Sequence, residues 1–428
     1  MKVYVIGGGA AGLMCAITAA NSGADVTVIE KNEKIGKKIY ITGKGRCNLT
    51  NTADFDEFMQ NVVNNKKFLY AALKSFDSKN CMEFFEKLGL SLKIERGNRV
   101  FPSSDKSSDV IKALSDGAKK ANVKILLNER ASTLTFENGT VTAIKTDKGV
   151  YFPDKVVICT GGVSYPLTGS TGDGYEFAKS AGHDIIKPVA SLCGLIVSSA
   201  VNAVGERIPL GKLPKLQGLS LKNVTANIID SKNGATLFSE FGEMLFTEHG
   251  VSGPIILTLS SKINRLNFND LRLSIDLKPA LDEKKLDERL LRDFDEFKNK
   301  MLKNSLGELL PNSLIPFVIA LSGIAEDKPV NSISREERKK LLRMLKKLTF
   351  TISGTEDVST AIVTAGGINV KEINPKTMQS KIIHNLYFAG EVIDADALTG
   401  GFNLQIAFST GYLAGIHVND ETNLNKEK

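Results

Sequence analysis

The sequence predicts an α/β protein whose parallel sheet is interrupted by an inserted antiparallel β-rich domain and a small helical module. The sheet is indicated by an apolar run at Val3–Ile6, which leads into a glycine-rich turn and a helical segment, and by a second apolar run at Val26–Ile29. The insertion is indicated by a change of pattern after Pro188. There, residues 219–229 and 271–277 alternate apolar and polar side chains, as half-exposed antiparallel strands do.

Composition places the chain among ordinary folded proteins. Hydrophobic residues make up 42% and charged residues 24%, which excludes a disordered, collagen-like or coiled-coil chain. The length of 428 residues suggests about two to three domains. The formal net charge is +7, but the basic residues form no dominant cluster, so the sequence argues against a nucleic-acid partner. No run reaches the roughly 18 apolar residues of a membrane span, so no membrane partner is expected.

The cysteines and the first residues bear on location. The uncharged stretch Val3–Ala20 has a superficial likeness to a signal peptide, but glycines interrupt it. The cysteines lie far apart without a C-x-x-C pair, which argues against a disulfide framework or a zinc site and favours a reducing, cytoplasmic location. They are Cys15, Cys47, Cys81, Cys159 and Cys193.

The turn after the first strand has the pattern G-x-G-x-x-G, from Gly7 through Gly9 to Gly12. Gly7 allows the tight turn, Gly9 lets the backbone approach a pyrophosphate, and Gly12 lets helix and strand pack closely. The following helix would present free N–H groups and its positive dipole end to the phosphates, through Ala10 and Ala11. Glu30 ends the second strand and is placed to accept both ribose hydroxyls, which argues against a 2′-phosphate. The segment therefore predicts FAD or NAD.

Three further segments favour FAD. A buried strand at 156–162 ends in Thr-Gly-Gly and would return to the nucleotide, and residues 168–174 precede a helix. The strand at 386–391 ends in Gly-Glu, like the second FAD motif, whose acid usually contacts the ribityl chain. Residues 400–405 begin a last helix, whose N-terminus would stabilise negative charge on a reduced flavin. A plain NAD dehydrogenase has no need of these C-terminal segments, so we predict a Rossmann-like FAD-binding domain of the glutathione reductase/fumarate reductase type.

These motifs resemble those of a bacterial flavoprotein family that includes aminoacetone oxidase and a flavin reductase of bile-acid dehydroxylation. They occur in the family's order over nearly the whole chain. The segments that carry the resemblance are 43–51 (GKGRCNLTN), 246–254 (FTEHGVSGP), 364–367 (TAGG), 390–394 (GEVID) and 399–405 (TGGFNLQ). The Thr-Gly-Asp-Gly segment is also similar to fumarate reductase and 3-ketosteroid dehydrogenase flavoproteins, which act on carbon–carbon bonds.

The resemblance implies a three-part layout in which one discontinuous domain binds FAD. The predicted parts are the first FAD-binding part at 1–187, the β-rich insertion on the substrate side at 188–278, the helical module at 279–348, and the return strands with the second FAD-binding part at 349–428. Residues 52–120 are predicted to be largely helical. We expect the substrate between the insertion and the flavin, because domain junctions often form ligand pockets.

The predicted cofactor contacts follow from these motifs and from the resemblance, with Ala131 added because a strand often passes the adenine there. They are Gly7, Gly9, Ala10, Ala11, Gly12, Glu30, Lys31, Lys38, Gly45, Arg46, Cys47, Asn48, Thr50, Ala131, Thr160, Gly161, Gly162, Gly172, Asp173, Gly174, Gly390, Glu391, Asp394, Gly401, Asn403, Leu404 and Gln405. Arg46 and Asn48 are expected either to hydrogen-bond the cofactor or to hold their loop. Cys47 is expected to be a packed thiol near the cofactor, and the alternatives are a redox thiol or a covalent link to the flavin.

The sequence offers few candidates for proton transfer and no metal-ligand spacing. His249, in the Thr-Glu-His-Gly segment, is the best acid/base candidate, with a structural role as the alternative. We predict an FAD-dependent oxidoreductase that moves a hydride between flavin and a small organic substrate. Amine oxidation with oxygen and reduction of a conjugated C=C bond by transiently docked NAD(P)H both stay open. The alternative from another class is a non-catalytic flavin-binding module with weak RNA association.

Overall fold

A computed structural model describes residues 1–419 of the protein. The strands, in chain order, are β1 (Lys2–Ile6), β2 (Asp25–Ile29), β3 (Thr50–Asn51), β4 (Leu92–Glu95), β5 (Arg99–Pro102), β6 (Lys124–Leu126), β7 (Ala131–Glu137), β8 (Thr140–Thr146), β9 (Val150–Tyr151), β10 (Lys155–Ile158), β11 (Ile185–Ser191), β12 (Leu195–Val201), β13 (Arg207–Pro209), β14 (Ser220–Asp230), β15 (Thr236–Phe246), β16 (Gly250–Ser252), β17 (Leu271–Asp276), β18 (Leu348–Thr355), β19 (Val363–Ile368) and β20 (Leu386–Phe388). The helices are α1 (Ala10–Asn21), α2 (Lys37–Ile41), α3 (Phe55–Asn61), α4 (Lys66–Ser75), α5 (Ser78–Lys87), α6 (Ser107–Lys120), α7 (Asp173–Ser180), α8 (Pro254–Ile263), α9 (Glu283–Glu296), α10 (Ile315–Ser322), α11 (Arg335–Lys346) and α12 (Phe402–His417).

The chain divides into two compact units. Of the described residues, the first contains 1–190 and 358–419, and the second contains Ser191–Asp357. Within the described residues, no helix is both long and apolar enough to cross a lipid bilayer.

The first unit is built on a parallel sheet with the strand order β6-β2-β1-β10-β20. Its strands are buried runs of branched apolar residues, such as Val3 and Val5 in β1 and Val156–Ile158 in β10. The strand order reverses between β1 and β10. In sheets of this Rossmann type, the crevice at the carboxyl ends of these two strands is where a dinucleotide binds.

Helices α1 and α12 pack closely beside this sheet. A Cβ atom at Gly415 would lie 2.7 Å from the carbonyl oxygen of Cys15, and one at Gly411 would overlap the carbonyl group of Ala11. The backbones can approach this closely because both positions lack a side chain. The C-terminal helix is thereby fixed against the helix that follows the glycine-rich turn.

The segment 52–120 is less helical than predicted. Helices α3 to α6 account for most of it, but β4 and β5 form an antiparallel hairpin that also pairs with β3. The turn between them holds Gly97 at φ +77° and Asn98 at φ +60°, and these two residue types tolerate positive φ. Strands β6 to β9 follow this segment, and the Asn138-Gly139 pair, a favoured sequence for hairpin turns, connects β7 with β8.

The second unit contains a closed antiparallel barrel. β12 pairs with β18 along one side and with β16 and β13 along the other. The remaining pairings run β16-β15-β14-β17-β18, so among the described residues six strands close a ring. Alternate residues such as Ile228, Leu273 and Phe350 are buried in a hydrophobic core that also contains apolar side chains of α8 to α11.

Two boundaries predicted from the sequence are wrong. Strand β18 was expected to lead back into the first unit from residue 349, but it pairs with β12 and β17, and the unit ends at Asp357. Its alternating Leu348, Phe350 and Ile352 are buried in the barrel core, which explains the pairing. The helices predicted as a separate module share that core, because their apolar side chains pack in one cluster with those of the barrel strands.

A buried polar cluster lies in the first unit. His183 is 4% exposed, with Nε2 2.8 Å from Ser380 Oγ and Nδ1 3.2 Å from Glu372 Oε2. Burial lowers the pKa of His183, and the neighbouring Glu372 only partly opposes this effect. The Ser380 hydroxyl also accepts two backbone N–H groups, so the cluster ties β11 to the segment before β20.

Candidate cofactor and active site

The glycine-rich turn after β1 leaves the start of α1 open. Gly7 has φ +109°, and a Cβ atom there would lie 2.5 Å from the carbonyl oxygen that follows β10, so this turn requires glycine. A Cβ atom at Gly9 would meet no atom within 4 Å. No side chain caps α1, so the N–H groups of Ala10, Ala11 and Gly12 have no partner within the helix. A diphosphate fits this cradle, which combines free N–H groups with a positive dipole end.

Glu30 is fixed beside the same turn at the end of β2. It is 7% exposed, and its Oε2 accepts the Gly8 N–H at 2.7 Å. Its Oε1 accepts the backbone N–H and the side-chain amide of Asn32, at 2.8 and 2.7 Å. A carboxylate oxygen has two acceptor positions, so Oε2 retains one for a hydroxyl group of a ligand.

Lys31 and Asp173, both predicted to contact the cofactor, contact each other. Lys31 Nζ lies 2.8 Å from Asp173 Oδ2, and Arg130 Nη2 lies 2.9 Å from Asp173 Oδ1. Burial opposes ionisation of Asp173, but the hydrogen bonds from both cations outweigh it and lower the pKa of this carboxyl. The ionised Asp173 also lies in the first turn of α7, where the helix dipole favours negative charge.

Lys38 and Glu391 form a second pair that joins four chain segments. Lys38 Nζ lies 2.6 Å from Glu391 Oε2 and 2.6 Å from Ser164 Oγ. Glu391 Oε1 accepts the Thr364 N–H at 2.8 Å and the Ser164 hydroxyl at 3.2 Å. The Gly-Glu segment after β20 is thereby tied to α2, to the loop after β10 and to β19.

Several buried polar atoms near these segments have no hydrogen-bond partner among the described residues. Buried polar groups almost always have a partner in the protein, in water or in a ligand. The atoms in the first unit are Asn48 Oδ1, Thr50 Oγ1, Thr160 Oγ1, Tyr175 Oη and Gln405 Oε1. Burial raises the pKa of Tyr175, and Glu391 and Asp394 raise it further, so its hydroxyl stays protonated and can donate a hydrogen bond.

The Gly-Lys-Gly-Arg-Cys-Asn loop is held by its arginine. The Arg46 guanidinium bonds Glu95 and Asp105, the latter through Nε at 2.7 Å, and lies over the Phe101 ring at 4.3 Å from its centroid. Of the two predicted roles for Arg46, these contacts correspond to holding the loop. Gly45 borders open space, since a Cβ atom there would meet nothing within 4 Å.

Cys47 is fully buried in this loop, at φ +59°. Burial raises the pKa of its thiol to about 12, and a hydrogen bond with Thr42 only partly opposes the rise. Because the thiolate is the reactive form, this environment favours the packed thiol over the redox thiol among the roles predicted from the sequence.

The start of α12 is uncapped, but its amide side chains are engaged within the protein. Gly401 precedes the helix at φ +101°, and a Cβ atom there would overlap the backbone of Thr50. The Asn403 side chain bonds the backbone N–H and carbonyl groups of Ala397, at 2.9 and 2.7 Å. Gln405 Nε2 donates to the Phe76 carbonyl at 2.9 Å. These two amides hold neighbouring segments, and neither offers a free N–H group among the described contacts.

The remaining predicted residues lie in the same unit. Leu404 is half-buried in the first turn of α12, and Asp394 is 4% exposed and accepts the Asn65 side-chain amide at 3.1 Å. The others lie in the loops after β10 and β20 or at the starts of α7 and β7, and they are Thr160, Gly161, Gly162, Gly172, Gly174, Gly390 and Ala131.

His249 lies in the second unit, apart in sequence from all these segments. It is exposed at the turn between β15 and β16, and its carbonyl oxygen accepts the Val197 N–H at 3.2 Å. Its catalytic role stays a prediction. Within residues 1–419, no three His, Cys, Asp or Glu side chains are grouped so as to hold a metal ion.

Comparison with known proteins identifies the family. A family model described as the HI0933-like protein Rossmann domain matches residues 1–417. The chain belongs to this family. The predicted Rossmann-type FAD-binding fold is thereby confirmed.

Two relatives are similar over almost the whole chain. A 3-dehydro-bile acid delta(4,6)-reductase from Clostridium scindens is 32% identical, and the match covers 97% of this chain and 98% of that protein. A ribosomal RNA dihydrouridine synthase from Haemophilus influenzae is 31% identical, with 97% of each chain covered. The bile-acid part of the predicted resemblance is therefore confirmed, and the amine-oxidase part stays a prediction. The scattered charge predicted no nucleic-acid partner, but similarity to a relative named for ribosomal RNA does not support that prediction.

A solved structure shares the fold. The 3-ketosteroid-delta4-(5alpha)-dehydrogenase of Rhodococcus jostii RHA1 matches with a TM-score of 0.52 and 15% identity, covering 98% of this chain and 97% of that one. The protein is an FAD-dependent oxidoreductase of the HI0933-like family. When bound, FAD supplies the two-electron carrier.

The described residues fit this cofactor. The open cradle at Gly9 suits the pyrophosphate, and the free acceptor position on Glu30 suits a ribose hydroxyl. The unpartnered atoms of Asn48, Thr50 and Thr160 are expected to find hydrogen-bond partners on it.

Sequence reasoning did not single out three residues that the structure places among these contacts. Thr364 and Ser164 bond Glu391, and Tyr175 lies close enough for Glu391 to affect its pKa. Thr364 belongs to the Thr-Ala-Gly-Gly segment that carries the family resemblance, so a signal existed for it. Tyr175 directly follows the Thr-Gly-Asp-Gly segment. Ser164 had no such signal.

Proposed function

We propose that this protein reduces a carbon–carbon double bond conjugated with a carbonyl group, using NAD(P)H as the electron donor. The observation that carries the proposal is full-length similarity to two enzymes whose names denote very different substrates. A 3-dehydro-bile acid with delta-4,6 unsaturation and the uracil ring of uridine share one reacting group, a double bond conjugated with a carbonyl. A common site chemistry with a variable substrate pocket accounts for both.

The overall reaction requires two electrons and two protons. NAD(P)H gives up a hydride and becomes NAD(P)⁺, the hydride equivalent reaches the carbon remote from the carbonyl, and a proton from a protein group or water reaches the adjacent carbon. Negative charge develops on the carbonyl oxygen during hydride delivery, so a hydrogen-bond donor there accelerates the step.

The chain has suitable groups for this charge. The Tyr175 hydroxyl is protonated and lacks a partner among the described residues. The uncapped start of α12 offers N–H groups and a positive dipole end. Lys38 is held by Glu391 and Ser164, which fixes its charge in place. We assign these groups the role of stabilising negative charge on substrate or cofactor.

The donor is proposed to dock only transiently. The chain contains a single G-x-G-x-x-G segment, and the FAD fit uses it. A separate NAD(P)H domain therefore has no motif to support it. NAD(P)H and substrate would then occupy one site in turn, which predicts ping-pong kinetics.

An anaerobic titration followed by flavin absorbance tests the proposal. NADH or NADPH should bleach the flavin, and a steroid dienone or a uridine-containing RNA should restore its colour. Bleaching by an amine alone, with peroxide formed on re-aeration, would support amine oxidation instead. If none of these donors bleaches the flavin, both readings fail, and the non-catalytic flavin-binding module becomes the better account.

A further inference from the structure

A cavity of about 480 Å³ lies in the first unit beside the start of α12. It is lined by side chains of α3, α4 and α5, by the connections that precede α3 and α5, and by Gln405 of α12. A volume of this size is typical of a pocket for a small organic molecule. The glycine-rich turn, Glu30, Lys38 and Tyr175 are not among its lining residues. The proposed reaction therefore leaves this cavity without an assigned ligand.

The inner part of the lining is almost entirely apolar. Ala53, Phe58 and Leu73 are buried, and Met82 is half-buried. Gln405 is the exception, because it is the only buried polar side chain among the described lining residues. A ligand would therefore meet an apolar surface that contains a single polar group.

The hydrogen bonds of Gln405 determine which side of its amide can face the cavity. Nε2 donates to the Phe76 carbonyl at 2.9 Å and to Ser409 Oγ at 3.0 Å, and the Ser409 hydroxyl donates to the same carbonyl at 2.6 Å. Rotating the amide by half a turn would place its oxygen against the Phe76 carbonyl oxygen, which can only accept, so the NH₂ group stays on this side. Neither Phe76 nor Ser409 lines the cavity, which leaves Oε1 as the polar atom that can face it.

Gln405 Oε1 is a buried hydrogen-bond acceptor, and no described residue donates to it. A buried acceptor that stays unpaired costs free energy, so water or a ligand is expected to supply a donor. A molecule with one N–H or O–H group at its inner end would satisfy this oxygen.

Charged side chains line the outer part of the cavity, where acids outnumber bases. These side chains are all at least partly exposed, and they are Asp54, Asp77, Glu83, Glu86, Lys74 and Lys79. The excess of carboxylates repels an anion. A charged group at the inner end would lose its hydration and meet only the neutral amide of Gln405 in return. The lining therefore favours an uncharged ligand.

The walls of the cavity are held by contacts of their own. Asp54 caps α3 and Asp77 caps α5, each by accepting a backbone N–H group, at 2.8 and 2.9 Å. The Phe58 ring packs edge-on against Phe402, the first residue of α12, with 4.9 Å between the ring centroids. Because these contacts fix the surrounding helices, binding a ligand requires little ordering of the protein.

We propose that this cavity binds an uncharged, largely apolar molecule that donates one hydrogen bond to Gln405 Oε1. An aromatic ring with a single donor, such as a phenol or an indole, has this chemistry. Its ring packs against Phe58, Leu73 and Met82, while its O–H or N–H group meets the amide oxygen. The inference does not depend on the proposed reaction, which assigns no role to these side chains.

The test is a calorimetric titration of the full-length, FAD-loaded protein with three probes that share one ring system. Indole has the N–H donor, 1-methylindole lacks it, and indole-3-carboxylate adds a negative charge. Indole should bind about threefold to tenfold more tightly than 1-methylindole, which is the effect of one neutral hydrogen bond. Indole-3-carboxylate should bind more weakly than indole, because the acidic outer part of the cavity repels it.

Three variants locate the binding site. Gln405→Met removes the acceptor, so the affinity for indole should fall about threefold to tenfold, while that for 1-methylindole should change less than about twofold. Met82→Trp fills the cavity and should weaken binding of both probes at least about tenfold, which keeps the test decisive if Gln405→Met does not fold. The matched control is Met301→Trp, because Met301 is exposed in the second unit and does not line the cavity. It should bind both probes like the wild type.

Several results would overturn the proposal. Equal affinity of the wild type for indole and 1-methylindole would show that no donor is recognised, and tighter binding of indole-3-carboxylate would contradict the preference for an uncharged ligand. If indole produces a long-wavelength absorbance band of the flavin and binds Met82→Trp like the wild type, it lies against the flavin and not in this cavity. The absence of any binding heat with all three probes would show that the cavity takes up only water.

Discussion

Replacing Glu30 with glutamine gives the sharpest test of the cofactor site. The carboxylate accepts three N–H groups inside the protein, at 2.7, 2.8 and 2.7 Å, and is 7% exposed. In Glu30→Gln one oxygen becomes an NH₂ group, which cannot accept a hydrogen bond. At least one internal bond, or the bond to a ribose hydroxyl, is then lost.

The size of the effect follows from these contacts. A hydrogen bond to a charged group contributes about 1.5–3 kcal/mol. Losing one to the cofactor raises the Kd for FAD roughly 10-fold to 150-fold. If an internal bond is lost instead, the free energy of unfolding of the flavin-free protein falls by a similar amount, about 1–3 kcal/mol.

The assay is fluorescence quenching of FAD titrated into flavin-free protein, together with urea unfolding of the same sample. Glu33→Gln is the matched control, because Glu33 lies three residues away and is paired only with Lys37, at 3.3 Å, on the surface. We expect the control to bind FAD like the wild type. If Glu30→Gln changes neither the FAD affinity by more than about twofold nor the unfolding free energy, the assigned role of Glu30 is refuted.

Four further outcomes are expected. Gly9→Asp puts a carboxylate into the cradle at α1, so the purified protein should lack FAD and be colourless. Gly211→Asp is the control and should stay yellow, because Gly211 also lies beside open space. A Gly9→Asp protein with its full content of FAD would refute the assignment of the cradle to the pyrophosphate. Burial lowers the pKa of His183, so the unfolded chain binds the proton more tightly. The neutral imidazole therefore contributes its full stability above about pH 6.5, and this contribution is lost as the pH falls below that value. The urea midpoint of the wild type should drop between about pH 7.5 and about pH 5.5. The drop should be smaller in a His183→Gln variant. Tyr175→Phe removes a buried hydroxyl without a partner among the described residues. The free energy of unfolding of the flavin-free protein should therefore be unchanged or about 1 kcal/mol higher, while substrate reduction slows. A clear loss of stability would show that the hydroxyl already has a partner. Burial raises the pKa of Cys47 to about 12, so native-state alkylation followed by mass spectrometry should label it roughly a thousandfold more slowly than a free thiol at about pH 8, and rapid labelling would argue for a reactive thiol.

The parallel sheet could be predicted from sequence because its determinants are local. The apolar runs of β1 and β2, the glycines between them and Glu30 all lie within the first thirty residues. Each requirement there is set by neighbouring atoms, such as the positive φ of Gly7. The hairpin turn at Asn138-Gly139 is likewise local, because two adjacent residues set its geometry.

Pairing between distant segments could not be predicted in the same way. Strand β18 has an alternating pattern that would suit either unit, and only its register with β12 and β17 assigns it to the barrel. The hairpin of β4 and β5 was not predicted, because its strands have only four residues each and its Arg96-Gly97-Asn98 turn is short, so the surrounding helical pattern dominates the segment.

The sequence by itself determined that a dinucleotide cradle, an acid at the end of β2 and a C-terminal Gly-Glu segment belong to one FAD-dependent protein. Each of these features depends on residue types within its own short segment of the chain. The tertiary structure decided which side chains are free to meet a ligand. Arg46, Asn403 and the NH₂ group of Gln405 are engaged by partners tens to hundreds of residues away or by their own loop, whereas the Tyr175 hydroxyl has no partner among the described residues. Hydrogen-bond satisfaction depends on what the fold brings within about 3 Å, and no local pattern encodes that.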